Sequence, residues 1–216
     1  MSDAIADRLE ACYSGAVYDV LRTLGHADQV LPTTIRPLDV TKKLTGRVYT
    51  VNGHTDENLD AHETLLQWTG LLSKAPCGSV VICQPNDSSL AHMGELSAET
   101  MMFRGVRGYI VDGGCRDSDF IGKIGFSVWC RYFTPRDVVG RWVADSFGEP
   151  ITIGGVLIHS GDYVLADSDG VVIIPSAIAE AVTSQTKVVM QTENLVRKAI
   201  LEGIDPQQAY LEYGKF

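Results

Sequence analysis

Apolar positions recur at helical spacing at both ends of this chain and gather into short continuous runs in its middle. Ser2-Asp3 can cap a first helix carrying Ile5, Leu9 and Cys12. A second helix is predicted from Ser14, with Val17, Val20, Leu21 and Leu24 on one face and Gly25 at its end. Asp19 lies among those apolar residues, either facing solvent or paired with a group elsewhere in the fold. Leu44–Val51 reads as a strand and Asn58–Leu72 as a helix whose apolar residues (Leu59, Leu65, Leu66, Trp68) spread over more than one face. Ser79–Cys83, bounded by Gly78 and Pro85, is a short strand. Next come a helix over Gly94–Arg104 stopped by Gly105, a strand over Tyr109–Asp112, a short helix over Asp117–Ile124 closed by Gly125, and a strand over Val128–Arg131.

The last third changes character. Thr152–Ile158, Asp162–Ala166 and Gly170–Pro175 read as three short strands separated by Gly, Asp and Ser turns. Asp167-Ser168-Asp169-Gly170 resembles the start of a calcium loop, but the bidentate Glu expected further on is absent, and the spacing is that of a hairpin turn. A long Ser-capped helix is predicted over Ser176–Leu201, halted by Gly203, and a last short helix follows Asp205-Pro206. The order of elements predicts an α/β fold, layered about a central β core with helices at both termini. One domain is expected over 1–216, with N-terminal helices in 1–25 and a C-terminal helical extension in 176–216. No GxGxxG follows the first strand and no GxxxxGK[ST] occurs, which disfavours dinucleotide and nucleoside-triphosphate chemistry.

Composition narrows the partners. Eighteen Lys and Arg stand against 27 Asp and Glu in 216 residues, a formal net charge of -9. That balance argues against broad electrostatic binding to nucleic acid or to an anionic membrane, while leaving room for a local basic pocket. Hydrophobic residues make up 45% of the chain, with no apolar run long enough to span a bilayer, and Met1–Gly15 mixes acids with apolar residues in place of a leader's apolar core. The five cysteines form no CxxC pair, so buried free thiols in a reducing cytoplasm are expected.

Two short stretches carry candidate chemistry. Gly94-Glu95-Leu96-Ser97 opens a helix, where backbone N–H groups lack intrahelical partners, the dipole favours an anion, and Gly94 lets a ligand approach. Arg116-Asp117 follows a strand and a Gly113-Gly114 turn, where α/β sheets commonly bind ligands. Arg116 offers a planar fork of donors for a carboxylate or enolate, and Asp117 offers a hard oxygen to a divalent cation. Each alone reads equally as an ordinary helix start or a surface ion pair; converging at one mouth, they would hold a small 2-oxo acid on a metal ion. His92 is read as a packed or surface histidine, and Cys115 finds no histidine partner near it in sequence.

Gly94-Glu95-Leu96, Arg104–Gly108 and Val111–Asp117 together resemble the RraA-like family, which includes the metal-dependent (class II) 4-hydroxy-4-methyl-2-oxoglutarate / 4-carboxy-4-hydroxy-2-oxoadipate aldolases. The likeness continues through Thr134-Pro135-Arg136-Asp137, Pro150–Gly155 and Gly161–Pro175, from about Ser14 to the terminal Tyr213-Gly214-Lys215-Phe216. It implies a layered β/β/α, swivelling-domain-like fold. It further implies that the backbone of Gly94, Glu95, Leu96 and Ser97 and the side chain of Arg116 bind the pyruvyl part of a substrate. Asp117 would hold Mg²⁺, Mn²⁺ or another divalent metal, and Glu95 would position a water. The family contributes an acid from the C-terminal helix of an adjacent subunit, for which Glu193 is the candidate, in a homotrimer or a hexamer. Where the aldolases carry an acid four residues after the arginine this chain has Phe120, with Asp119 one residue earlier as the substitute.

The reaction implied is retro-aldol cleavage of a 4-hydroxy-2-oxo dicarboxylic or tricarboxylic acid to pyruvate and a second oxo acid, with oxaloacetate decarboxylation as a side activity. The alternative within the same resemblance is a regulator that binds and inhibits RNase E; the Gly-Glu-Leu and Arg-Asp elements favour the enzyme.

Overall fold

A computed structural model describes residues 3–216. In chain order the elements are α1 (Ala4–Leu9), α2 (Ser14–Thr23), β1 (Arg36–Pro37), β2 (Leu44–Thr55), α3 (Ala61–Lys74), β3 (Ser79–Gln84), α4 (Glu95–Phe103), β4 (Gly108–Val111), β5 (Gly114–Cys115), α5 (Ser118–Ile124), β6 (Ser127–Cys130), β7 (Tyr132–Phe133), β8 (Trp142–Phe147), β9 (Ile151–Ile153), β10 (Val156–Ile158), β11 (Tyr163–Ala166), β12 (Val171–Ile174), α6 (Ala179–Leu201) and α7 (Pro206–Tyr213).

One mixed sheet forms the centre, in the order β1-β6-β4-β3-β2-β11-β12, with β8 paired to the far end of β2. Strands β2, β3, β4 and β6 are parallel, and β1, β8, β11 and β12 join antiparallel. Parallel strands are covered on both faces, which is why β3 reads as an unbroken apolar run. Its alternate residues divide between two cores. Val81 and Cys83 pack beneath α3 and α4 with Trp68, Leu71 and Met101. Val80 and Ile82 face the β9–β10 hairpin with Ile151, Ile153, Val156 and Ile158. The result is hairpin, sheet and helices in three layers, as the expected β/β/α arrangement requires. A third core packs α1, α2 and the start of α6 over β11 and β12.

Several expectations are corrected. Thr152–Ile158 is two antiparallel strands, not one. Gly154 and Gly155 lie at φ +59° and +87°, the left-handed region a two-residue hairpin turn demands, and the apolar pattern continues across the turn because both strands face the same core. Ser176 does not cap the long helix with its side chain; it opens a short 3₁₀ turn and its N–H donates to buried Asp162 (2.9 Å). The first helix ends at Leu9, short of Cys12, and its cap is Asp3; Ser2 lies outside the described residues. The third helix begins at Ala61, where Asp60 accepts from the His62 N–H (2.6 Å). Strand β8 was not anticipated, its apolar residues lying between polar and glycine positions. The Asp167–Gly170 segment is the β11–β12 turn, with the Asp167 carboxylate accepting from the N–H and hydroxyl of Ser14 (both 2.8 Å). Asp19 is paired, with Arg22 (3.0 Å) and Lys215. Among the described residues no helix is long and apolar enough to cross a membrane.

His92 is fully buried, edge-on to Trp142, with neither ring nitrogen hydrogen-bonded. Burial pushes its pKa down to about 4, against the pull of Asp87, whose Oδ2 lies 3.7 Å from Nε2. The unfolded imidazole titrates near 6.5. As pH falls between these values the unfolded chain takes up a proton that the fold refuses, so stability falls across that window, by about 3 kcal/mol. Urea unfolding followed from pH 7 to pH 4 is expected to show this loss, and His92→Gln is expected to flatten it. An unchanged slope in the variant would assign the acid sensitivity elsewhere.

Candidate active site

The site is assembled by backbone pairing just beyond the carboxyl end of β4. After β4 the chain turns through Gly113, and residues 114–116 run beside residues 91–93. Ala91 forms a parallel bridge with Gly114, the His92 N–H donates to the Gly114 carbonyl (2.8 Å), and the Arg116 N–H donates to the Met93 carbonyl (2.9 Å). This pairing delivers Gly94, the N-cap of α4, directly against Arg116 and Asp117.

The approach leaves no room for a side chain at position 94. A Cβ on Gly94 would sit 2.9 Å from Asp117 Oδ2 and 3.1 Å from Arg116 Nε. Gly94 itself is extended (φ -145°, ψ 179°), so the requirement is space and not backbone freedom. Asp117, by contrast, is a non-glycine residue at φ +56°. Such a conformation costs of order 1 kcal/mol and is best tolerated by Asp and Asn. It turns the Asp117 side chain away from its own helix, α5, and onto α4, where Oδ2 accepts from the Glu95 N–H (3.0 Å). The carboxylate therefore sits on the positive end of the α4 dipole. Arg116 Nε lies 3.4 Å from the same oxygen and Nη1 3.2 Å from Asp137 Oδ2.

These groups border a cavity of about 630 Å³. One wall is a single face of α3, with Leu65, Trp68, Thr69 and Leu72 at helical spacing; another is the first turn of α4; the rim is Asp137–Val139. The Ser97 hydroxyl accepts from the Trp68 indole N–H (2.8 Å), and Ser97 borders the cavity. Gly94, Glu95, Leu96, Ser97, Arg116 and Asp117 are thus brought together. The Glu95 N–H, expected to be free, is held by Asp117.

Other candidates fall elsewhere. Asp119 is exposed on the first turn of α5 and does not border the cavity. Glu193 lies on α6, bonded to Tyr13 and 3.5 Å from Lys215, and is not part of this chain's own cavity. Asp112, at the end of the strand, pairs with Arg131 (3.1 Å). Cys115 is buried, and its hydrogen bond with Cys130 and its burial raise its thiol pKa, which disfavours the thiolate a nucleophile needs. Asp137 was missed as a site residue, although it stands in the Thr134–Asp137 segment; only the fold shows that it meets Arg116.

No group of three or more His, Cys, Asp or Glu side chains able to cage a metal occurs among the described residues. The donor chemistry fits a different arrangement. Mg²⁺ commonly keeps several waters and takes one or two carboxylates plus substrate oxygens. Asp117 supplies a carboxylate at the edge of a cavity with ample space for water and ligand.

The family profile described as RraA-like, Aldolase/RraA, matches residues 14–173. The chain belongs to the RraA-like family. A Halalkalibacterium halodurans protein named "Putative 4-hydroxy-4-methyl-2-oxoglutarate aldolase" is 28% identical over 84% of this chain and 83% of its own length. The fold is shared with a Pseudomonas syringae pv. tomato protein of uncharacterized function (TM-score 0.85, 23% identity, 97% of this chain and 98% of that one). It is shared also with Streptomyces coelicolor RraAS2, described as an unusual member of the RNase ES inhibitor RraA protein family (TM-score 0.81, 24% identity, 91% of this chain and 98% of that one). The RraA-like assignment covers both stretches that form the cavity's polar end.

Gly94→Ala is expected to keep the fold, because position 94 is extended, while displacing Arg116 and Asp117. A misplacement near 1 Å can cost on the order of 10²-fold in turnover. A variant with unchanged thermal midpoint and turnover reduced to that extent fits this geometry; unchanged turnover would show that the close approach is incidental.

Proposed function

We propose that this protein is a divalent-metal-dependent pyruvate aldolase, which cleaves a 4-hydroxy-2-oxo acid to pyruvate and a second oxo compound. The observation that supports it is the convergence of the Arg116 guanidinium, the Asp117 carboxylate and the first turn of α4 on one cavity. A 2-oxo acid has an adjacent carboxylate and keto oxygen, which call for N–H donors, a fixed cation and a Lewis acid on one side. Asp117 would hold Mg²⁺ or Mn²⁺. When bound, that ion supplies positive charge to the carboxylate and keto oxygen of the substrate.

The chain's own groups account for the rest. The N–H groups of Leu96 and Ser97, in the first helical turn, face the substrate carboxylate. A water held by Glu95 takes the proton of the C4 hydroxyl and passes one to the Glu95 carboxylate, which returns it through the water to C3 at the end of the reaction. As the C4 oxygen becomes a carbonyl, the C3–C4 bond breaks and its electron pair moves into C2–C3, giving the enolate of pyruvate. Arg116 stabilises the negative oxygen as it develops, where a preorganised donor acts most strongly. A proton delivered to C3 completes pyruvate. Loss of CO₂ from oxaloacetate leaves the same enolate, so oxaloacetate decarboxylation is proposed as a side activity.

The further proposal is a homotrimer or hexamer in which Glu193 of one chain faces the cavity of another. Exposed apolar residues of the C-terminal segment, Leu195 and Leu201 on α6, Leu211 on α7 and Phe216 beyond it, are consistent with burial in an assembly. The regulator that binds and inhibits RNase E is the alternative within the same family, and the Streptomyces protein shares its fold with this chain; the Arg116–Asp117 cavity supports the enzyme.

Pyruvate release coupled to NADH oxidation by lactate dehydrogenase, with Mg²⁺ and with EDTA, tests this reading. Metal-dependent release is expected from 4-hydroxy-2-oxo acids and from oxaloacetate. Arg116→Ala is expected to lower it by about 10²–10³-fold, the cost of one lost oxyanion donor, and Asp117→Asn to abolish metal dependence while preserving the fold. No release from any of these substrates, or full metal-dependent turnover in either variant, would contradict it.

A further inference from the structure

The loop between β7 and β8 has two sides. Asp137, Val138 and Val139 border the cavity that holds Arg116, while Arg136, Gly140 and Arg141 line a separate groove. The loop is fixed at points that do not involve Arg116. The Ala91 N–H donates to the Arg136 carbonyl (2.8 Å), and the Gly140 N–H donates to the hydroxyl of buried Thr64 on α3 (3.1 Å). The N–H groups of Arg141 and Trp142 donate to the Val138 carbonyl (3.0 and 3.1 Å). Asp137 divides its two oxygens between this loop and the site. Oδ1 accepts from the Val139 N–H (3.2 Å), a local turn that holds the carboxylate in place, and Oδ2 accepts from Arg116 Nη1 (3.2 Å). Among the described residues, Arg116 is the cation within ion-pair distance of Asp137.

From this arrangement we infer that Asp137 is a positioning residue, which aims the Arg116 guanidinium at the oxygen that becomes negative in the reaction. The inference rests on the aldolase reading above and assigns a further residue to it. Asp117 lies 3.4 Å from Nε and Asp137 3.2 Å from Nη1, so the planar fork is held from two sides. Nη2 has no hydrogen-bond partner among the described residues. Asp117 alone is a poor anchor. Its Oδ2 already accepts from the Glu95 N–H, and a divalent cation held there would repel the guanidinium beside it. Asp137 is the charge that keeps Arg116 at the site. With 38% and 43% of the two side chains exposed, this ion pair contributes little to stability. Its role is to orient a donor that acts as charge develops. Every contact named lies within one chain, so the clamp does not depend on what an adjacent chain adds to the cavity.

Asparagine separates the two duties of the carboxylate. With one acceptor oxygen it serves the Val139 N–H or Arg116, and its amide nitrogen then faces the other donor. Asp137→Asn and Asp137→Ala are expected to release Arg116 with the thermal midpoint nearly unchanged. With the intact protein and Mg²⁺, kcat for oxaloacetate decarboxylation is expected to fall by about 10- to 10²-fold, the cost of misplacing a reacting group by up to about 1 Å, while KM changes little. In an Arg116→Ala background neither substitution is expected to lower kcat further, because Asp137 acts only through Arg116. Unchanged kcat in both variants, or an equal loss in the Arg116→Ala background, overturns the inference and leaves the aldolase reading standing. Crystal structures of the two variants supply a readout that needs no turnover. Arg116 is expected to leave its wild-type position, and an unmoved guanidinium in both overturns the inference. If the wild-type protein turns over no substrate, the aldolase reading falls, and the position of Arg116 in these crystals still upholds or overturns the clamp.

Discussion

Outside the main sheet, a few backbone hydrogen bonds between residues 91–93 and 114–116 determine where the start of α4 meets Arg116 and Asp117. They dock the start of α4 onto the Arg116–Asp117 turn with no space for a side chain at position 94. Asp117 closes the arrangement from a left-handed backbone conformation, spending its carboxylate on the N–H of another helix. A strained residue that caps a foreign helix is poorly explained by stability alone, since an ordinary N-cap would satisfy α4 more cheaply. It is explained if the carboxylate must be held at that point for a ligand.

The layers beneath make this docking rigid. Strand β3 is buried on both faces and aligns β2 with β4, so the carboxyl end of β4 is fixed relative to α3 and α4. The cavity inherits its character from those elements. One side of it is made of turns and a helix start whose first N–H, that of Glu95, is taken by Asp117, and another is a helix face that also serves the core.

Much of the fold was legible because hydrophobic period and turn chemistry agreed. β3, the helices beginning at Ser14 and Glu95, and the Gly125 stop all carry local signals that tertiary contacts do not override. The β9–β10 hairpin was not, since both strands face one core and the apolar run gives no sign of the reversal beyond Gly154-Gly155. For the site, Gly94–Ser97 and Arg116–Asp117 stood out as residue types, and their convergence was inferable from strand ends. Asp137 meeting Arg116 and the α3 wall depend on packing across long stretches of chain, which one sequence does not encode locally. Asp119 and Phe120 are both exposed on α5 and neither borders the cavity, a placement that helix packing decides and the sequence pattern does not.

The most direct test of the central claim, that Asp117 and Arg116 form a metal-assisted 2-oxo acid site, is a crystal structure grown with Mn²⁺ and oxalate, a stable mimic of the pyruvate enolate. The geometry predicts an anomalous manganese peak beside the Asp117 carboxylate, with oxalate contacting Arg116 and the N–H groups at the start of α4. Manganese and oxalate bound elsewhere, with Asp117 still engaged only with Glu95, would contradict it.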